Sequence, residues 1–242
     1  MTDSKIALVT GGSGGIGAAC ARLLAARGFR VAVTYRGRER VARELAEEID
    51  GRAYALDLSD LQQIRGLAQA IEEDLGTVQV LIHSAGMIRD ALLPFLSEAD
   101  WDLIHAVNLK GPSLLTKAFI KGMLRERWGR VVAIASASGI MGQVGQTHYS
   151  AAKGGLIAFT KALAREVARY GVTVNAVAPG LIDTEILADV PEKAMASHLA
   201  RIPLGRLGRP EEVAGLVGYL VSDEGGYVTG QALRVDGGLI MA

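Results

Sequence analysis

Short, nearly continuous apolar runs recur along the chain, separated by stretches in which apolar residues return every three or four positions. The first pattern fits strands buried on both faces of a sheet, and the second fits helices that pack on it by one side. Strands are expected at 6–9, 30–35, 52–56, 78–82, 129–135, 172–178 and 232–235. Helices are expected at about 18–27, 39–49, 61–75, from 98 to about 127, from 149 to about 170, and from 210 to about 221. Pro112, inside the fourth of these, predicts a helix start or a kink rather than an uninterrupted helix. Strand and helix alternate throughout, which predicts an α/β fold with a doubly wound parallel sheet. Residues 185–205 have mixed polarity and a short helical pattern, suited to a substrate lid.

Composition narrows the function classes. No linker, charge run or low-complexity tract divides the 242 residues, so one domain is expected. Lys+Arg and Asp+Glu balance at 26 each, which argues against a global field for nucleic acid or membrane. Cys20 is the sole cysteine and the four histidines are scattered, so no metal site is expected. The first residues lack a signal-peptide pattern, and no apolar run approaches the ~18 residues of a membrane span. A cytoplasmic protein is expected.

Between the first strand and the first helix lies Thr10-Gly11-Gly12-Ser13-Gly14-Gly15-Ile16-Gly17. Strand, glycine loop and helix make the opening of a Rossmann-type dinucleotide-binding unit. Gly11, Ser13, Gly14, Gly15, Ile16 and Gly17 are the candidate pyrophosphate contacts, with the phosphates resting on the helix N-terminus. The second strand ends at Tyr35-Arg36-Gly37-Arg38, where an NAD site would carry an acid. A guanidinium there suits a 2′-phosphate, so NADP(H) is expected, with Arg36 the main contact. Asp57 and Leu58 end the third strand, where a carboxylate can face the adenine; Asp57 also suits a turn. Ala85 and Gly86 close over the cofactor after the fourth strand, their small size allowing close approach. After the sixth come Pro179, Gly180, Ile182 and Thr184, the last two placed to hold the nicotinamide carboxamide, although Pro-Gly alone suits a turn.

The chemistry is placed at Tyr149-Ser150-Ala151-Ala152-Lys153. Residues four apart share a helix face, so Tyr149 and Lys153 point the same way. A nearby ammonium favours phenolate, so Lys153 is expected to lower the Tyr149 pKa from its usual value of about 10 and ready it for proton transfer to a carbonyl oxygen. Ser136, thirteen positions before Tyr149 and directly off the fifth strand, can donate to that carbonyl; Ser138 is its neighbour and competitor. Asn108, on an otherwise apolar helix, is either a buried amide satisfied by backbone or a holder of water near Lys153, and the two are compatible.

Together the glycine loop, Asn108, Ser136, Tyr149 and Lys153 resemble the short-chain dehydrogenase/reductases over essentially the whole chain, including Pro179-Gly180 and Val235-Asp236-Gly237-Gly238. The closer similarity, in 86–93 and 145–153, is to 3-oxoacyl-[acyl-carrier-protein] reductases. That resemblance implies seven parallel strands in the order 3-2-1-4-5-6-7, NADPH-dependent reduction of a carrier-bound 3-oxoacyl thioester, and a homotetramer. A specialised polyketide or aryl-polyene ketoreductase, an alcohol or sugar dehydrogenase and a non-catalytic NADP-binding scaffold are the alternatives. Carried over, Tyr149 is the acid, Lys153 lowers its pKa and binds the ribose, Ser136 orients the carbonyl, and Asn108 holds a relay water. Arg127 matches a basic position that meets the carrier at the site entrance, with Arg169 beside Tyr170 where a second Arg is expected. Two departures stand out. His83-Ser84 replaces the family's usual Asn-Asn, removing an amide that braces the central strand, and Gly15 stands where NADPH-preferring relatives often carry a basic residue.

Overall fold

The computed structural model describes residues 4–187 and 192–241. Seven strands, β1 (Ile6–Thr10), β2 (Arg30–Tyr35), β3 (Arg52–Ala55), β4 (Val78–His83), β5 (Gly129–Ile134), β6 (Val172–Pro179) and β7 (Ala232–Val235), form one sheet. Every neighbouring pair is parallel, and the order is β3-β2-β1-β4-β5-β6-β7, as the resemblance implied. The apolar runs are continuous because both sheet faces are covered. Ala7 and Val9 of β1 face the core under α1 (Gly15–Ala26), α2 (Glu39–Glu48) and a C-terminal helix, while Ile6 and Leu8 face the opposite core. That second core lies under α3 (Leu61–Asp74), a helix at Gly111–Glu126 and the long helix at Thr147–Val167. The strand order reverses between β1 and β4, and such a reversal opens a ligand crevice at the carboxyl ends of the strands.

Two helices differ from the sequence expectations. Helix α1 begins at Gly15, not near Ala18, because the poor helix former Gly15 is carried into the first turn by the loop geometry. The helix expected from 98 to about 127 is α4 (Glu98–His105), a π-turn at Ala106–Lys110 and α5 (Gly111–Glu126). Its irregularity therefore lies before Pro112, which sits in the first turn of α5 where its missing N–H costs nothing. Next come the short α6 (Ser138–Met141) and α7 (Thr147–Val167), which gives way to a 3-10 turn at Ala168–Tyr170. In the expected lid, Glu185–Leu187 is a 3-10 turn and α8 spans Glu192–Leu199, while 188–191 lie outside the described residues. Helix α9 (Pro210–Val221) packs beside α1. No helix among the described residues is long and apolar enough to cross a membrane.

Candidate active site

The loop after β1 is shaped by backbone contacts that leave no room for side chains. Gly11 has φ +70°, and a Cβ on it would stand 2.8 Å from Cα of Ala85. A Cβ on Gly17 would meet the Gly11 carbonyl oxygen at 2.2 Å. Thr10 fixes this approach from below: its hydroxyl accepts the backbone N–H groups of Ser84 and Ala85, each at 3.1 Å. The glycine loop and Ala85-Gly86, far apart in sequence, thus lie against one another. Gly14 caps α1 without a side-chain acceptor, leaving the first amides of the helix to bind an anion. Glu185 pairs with Arg38 Nη1 at 3.2 Å beside this turn, and its own backbone amide first, the Arg38 charge next and the Gly15 amide least hold its carboxyl below the usual range. Thr184 lies against the same turn, its methyl 2.8 Å from where a Gly15 Cβ would be. Its hydroxyl donates to the Ile182 carbonyl at 3.3 Å. Upstream, Gly180 hydrogen-bonds the Val235 carbonyl at 3.0 Å, which anchors Pro179-Gly180 on β7.

Arg36 and Asp57 come together at the ends of β2 and β3, with Nη1 3.6 Å from Oδ2. Asp57 also accepts the Ser59 N–H and hydroxyl, at 2.8 and 2.7 Å, so it serves the turn that the sequence also allowed. Partial burial opposes its ionisation, but the Ser59 hydrogen bonds and the Arg36 charge hold the carboxyl below its usual range. Arg36 remains about half exposed. Leu58 is buried, its carbonyl pressed against Gly111.

Ser136, Tyr149, Lys153 and Asn108 converge at the carboxyl ends of β4 and β5. Tyr149 and Lys153 are both buried on one face of α7. The Ser136 hydroxyl lies on the phenol's side of the site, where it favours the ionised form of Tyr149. Lys153 Nζ donates to the Ile134 carbonyl at 2.9 Å and lies 5.7 Å from the Tyr149 ring centre. A Cβ on Gly86 would touch Asn108 Oδ1 at 3.0 Å and Lys153 Nζ at 3.4 Å, so these two groups flank one point. Asn108, carried on the π-turn, spends its amide on the backbone: Nδ2 donates to Met87 O at 2.9 Å and Ile104 O at 3.0 Å, and Oδ1 accepts the Met87 N–H at 3.2 Å. A π-turn inside a helix is often found at a functional site.

One electrostatic expectation is overturned. Tyr149 is not made more acidic by Lys153 in this arrangement; burial pushes its pKa up to about 12, against the opposing influence of the Ser136 hydroxyl and with a small push from Asp90. Burial also brings Lys153 down to about 8. Both shifts have one cause, since desolvation penalises phenolate and ammonium alike.

Two further expectations need correction. Arg127 stands after α5 and before β5, at the opposite end of that strand from Ser136, with its Nη2 donating to the Arg169 carbonyl at 3.1 Å. It is therefore not at the entrance to the Ser136 site of its own chain. His83 does not leave the central strand unbraced. Its Nε2 meets Thr116 Oγ1 at 2.7 Å, and the Thr116 hydroxyl donates to Pro112 O at 2.9 Å. The hydroxyl proton is thereby used, so Nε2 must carry the imidazole hydrogen, and the ring ties β4 to α5.

Sequence reasoning missed Thr10, which holds Ala85, and Asp90, Gln146, Thr116 and Glu185, which hold neighbours of the site: Gln146 bonds Ser138 and Asp90, Thr116 bonds His83, and Glu185 pairs with Arg38. Among the neighbours of the site only Ser138 carried a signal, its position beside Ser136. The rest depend on loops meeting across the crevice. Among the described residues no His, Cys, Asp and Glu cluster could hold a metal.

Comparison with known proteins gives a family model described as enoyl-(acyl carrier protein) reductase, matching residues 11–240. It also gives proteins named 3-oxoacyl-[acyl-carrier-protein] reductase FabG. Those of Pseudomonas aeruginosa and Vibrio cholerae are 43% and 42% identical to the chain. The Escherichia coli protein is 42% identical. The alignments cover 99% of this chain and 99%, 98% and 98% of those proteins, respectively.

Proposed function

The chain belongs to the short-chain dehydrogenase/reductase family, and from that premise we propose that it reduces a 3-oxoacyl thioester, carried on an acyl carrier protein, to the 3-hydroxyacyl thioester with NADPH. The observation that carries this reading is the cluster of half-buried Ser136 with buried Tyr149 and Lys153, set beyond Gly86 from the glycine loop. The first turn of α1, which Gly14 caps without a side-chain acceptor, supports anion binding at that loop. Gly11 to Gly17 would hold the pyrophosphate, Arg36 the 2′-phosphate, Ala85 and Gly86 the cofactor's middle, and Ile182 and Thr184 its nicotinamide end. When bound, the reduced nicotinamide supplies the hydride that the keto carbon receives. Ser136 holds the carbonyl oxygen by a hydrogen bond, and Tyr149 gives that oxygen its proton, so ketone becomes secondary alcohol. Lys153, a buried cation behind the phenol, offsets the negative charge left on Tyr149. Asn108 fixes the Met87 backbone beside Lys153, which shapes the floor between the two halves of the site.

The family model and the FabG relatives carry names for different reductions of thioesters. In ketone reduction the proton goes to the oxygen that Ser136 and Tyr149 face; in enoyl reduction it ends on carbon. Two donors converging on one oxygen suit the ketone. NADPH oxidation should therefore occur with carrier-bound 3-oxoacyl substrates, more slowly with free thioesters, and not with 2-enoyl thioesters. Consumption of the enoyl compound with the 3-oxoacyl compound inert would reverse the assignment.

Cofactor choice is tested separately. Arg36→Ala should weaken NADPH binding at least about tenfold and NADH binding less than about twofold, since a hydrogen bond between ionised groups contributes roughly 1.5–3 kcal/mol. Fluorescence titration of both cofactors reads this directly. Equal losses for the two would assign Arg36 to a role common to both, such as its pairing with Asp57.

A further inference from the structure

Ser136 leaves β5 at a turn, where no strand neighbour fixes its hydroxyl, yet the proposed reaction needs that hydroxyl aimed at one oxygen. The structure supplies a chain of polar contacts that ends on it. The Ser138 N–H donates to Ser136 Oγ at 3.1 Å. The Ser138 hydroxyl donates to Gln146 Oε1 at 3.0 Å, and Gln146 Nε2 donates to Asp90 Oδ1 at 3.0 Å. Beside this chain the Ala91 N–H donates to the Gly145 carbonyl at 2.8 Å, so the loop after β4 and the loop before α7 are tied at two adjacent points. Gln146 is the N-cap of α7, where a side chain ordinarily accepts a hydrogen bond from the first turn of its own helix. It makes no such bond, and its amide is spent wholly on Ser138 and Asp90.

We propose that Gln146 is a positioning residue for the reduction, anchored by Asp90 and fixing Ser138, and through it the Ser136 hydroxyl, against the reacting carbonyl. The proposal rests on the ketone-reductase reading of the site. The chemistry of the link is specific. One side chain must accept from the Ser138 hydroxyl and donate to a carboxylate, which an amide does and an ionised carboxylate cannot. Asp90 and Gln146 come from loops on either side of the crevice, so the link also holds the loop after β4 beside Tyr149.

The test is a polarity swap. Gln146→Glu sets two carboxylates against each other and breaks the Asp90 bond. Asp90→Asn in that background restores the chain in reverse: the new amide at position 90 donates to the glutamate, which still accepts from Ser138. Gln146→Glu should lower kcat about tenfold with KM for NADPH within about twofold, and the double variant should return kcat to within about threefold of the parent. Unchanged kcat in Gln146→Glu, or a double variant no faster than Gln146→Glu, overturns the proposal. Should Gln146→Glu not fold, Ser138→Ala breaks the next contact in the chain; it should show the same fall in kcat at steady KM, and an unaltered kcat there overturns the proposal too. If the parent chain turns over no 3-oxoacyl thioester, the reaction assignment fails by itself. Crystal structures of Gln146→Glu and the double variant then decide the link: loss and recovery of the Ser138–Ser136 contact supports it, and an unmoved Ser136 overturns it.

Discussion

Replacing Tyr149 with Phe should reduce turnover of the 3-oxoacyl substrate at least about a hundredfold, the usual worth of a positioned general acid. The substitution removes one oxygen from a side chain that is only 8% exposed, so the packing with Ile104 and Ala152 is retained. Cofactor affinity should stay within about threefold, because the glycine loop and Arg36 are untouched. Steady-state kinetics with a direct binding titration separates the two effects. Undiminished turnover would reject Tyr149 as the proton donor. The direction of its pKa shift bears on what this acid does. A phenol pushed up to about 12 is fully protonated near neutrality, so the donor is always loaded for reduction. Lys153, brought down to about 8, is still mostly cationic at neutral pH. Its service is then to stabilise the phenolate once the proton has gone, not to acidify the phenol beforehand. A ground-state proton that is tightly held and a product anion that is stabilised are compatible, because the cation acts most strongly where charge develops.

The sequence made the architecture legible because both sheet faces are covered. Runs such as Val131 to Ile134 and Val172 to Ala178 are apolar at every position except Thr173 and Asn175, and only a strand buried on two sides tolerates that. The pairing of Tyr149 with Lys153 was legible for a similar reason, since both sit on one regular helix whose period is fixed. What the sequence hid lies where periodicity stops. The π-turn under Asn108 inserts one residue into a helical register, and no composition signal marks it. The Asp90–Gln146–Ser138 chain joins two loops whose approach is set by the sheet, not by local propensity. The direction of the Tyr149 shift was misjudged because a charge four residues away is visible in sequence, whereas the depth of burial that outweighs it is not. His83 was judged by the amide it replaces; its partner Thr116 lies on a different element, 33 positions on.

That imidazole should set the protein's sensitivity to acid. His83 is 2% exposed, and burial, with Lys153 nearby, lowers its pKa to about 3. The unfolded chain takes up this proton near pH 6.5, and the folded chain does not until about pH 3, so stability is lost as the pH falls through that window. The paired carboxylates, Asp57 and Glu212 among them, add their own losses only below the ordinary carboxylate range, near pH 4.5. Lys153 adds no slope here, because it is protonated in both states below about 8. Between pH 6.5 and 4.5 the His83 contribution is about 2 kcal/mol, or a fall in Tm of roughly 4–8 °C for a chain of this size. His83→Gln keeps a donor for Thr116 Oγ1 and removes the titration, so its Tm should change far less across the same interval. Thermal unfolding of the two chains at matched pH values is the measurement. An equally steep acid slope in the variant would assign the sensitivity to another group and leave His83 as a packing residue alone.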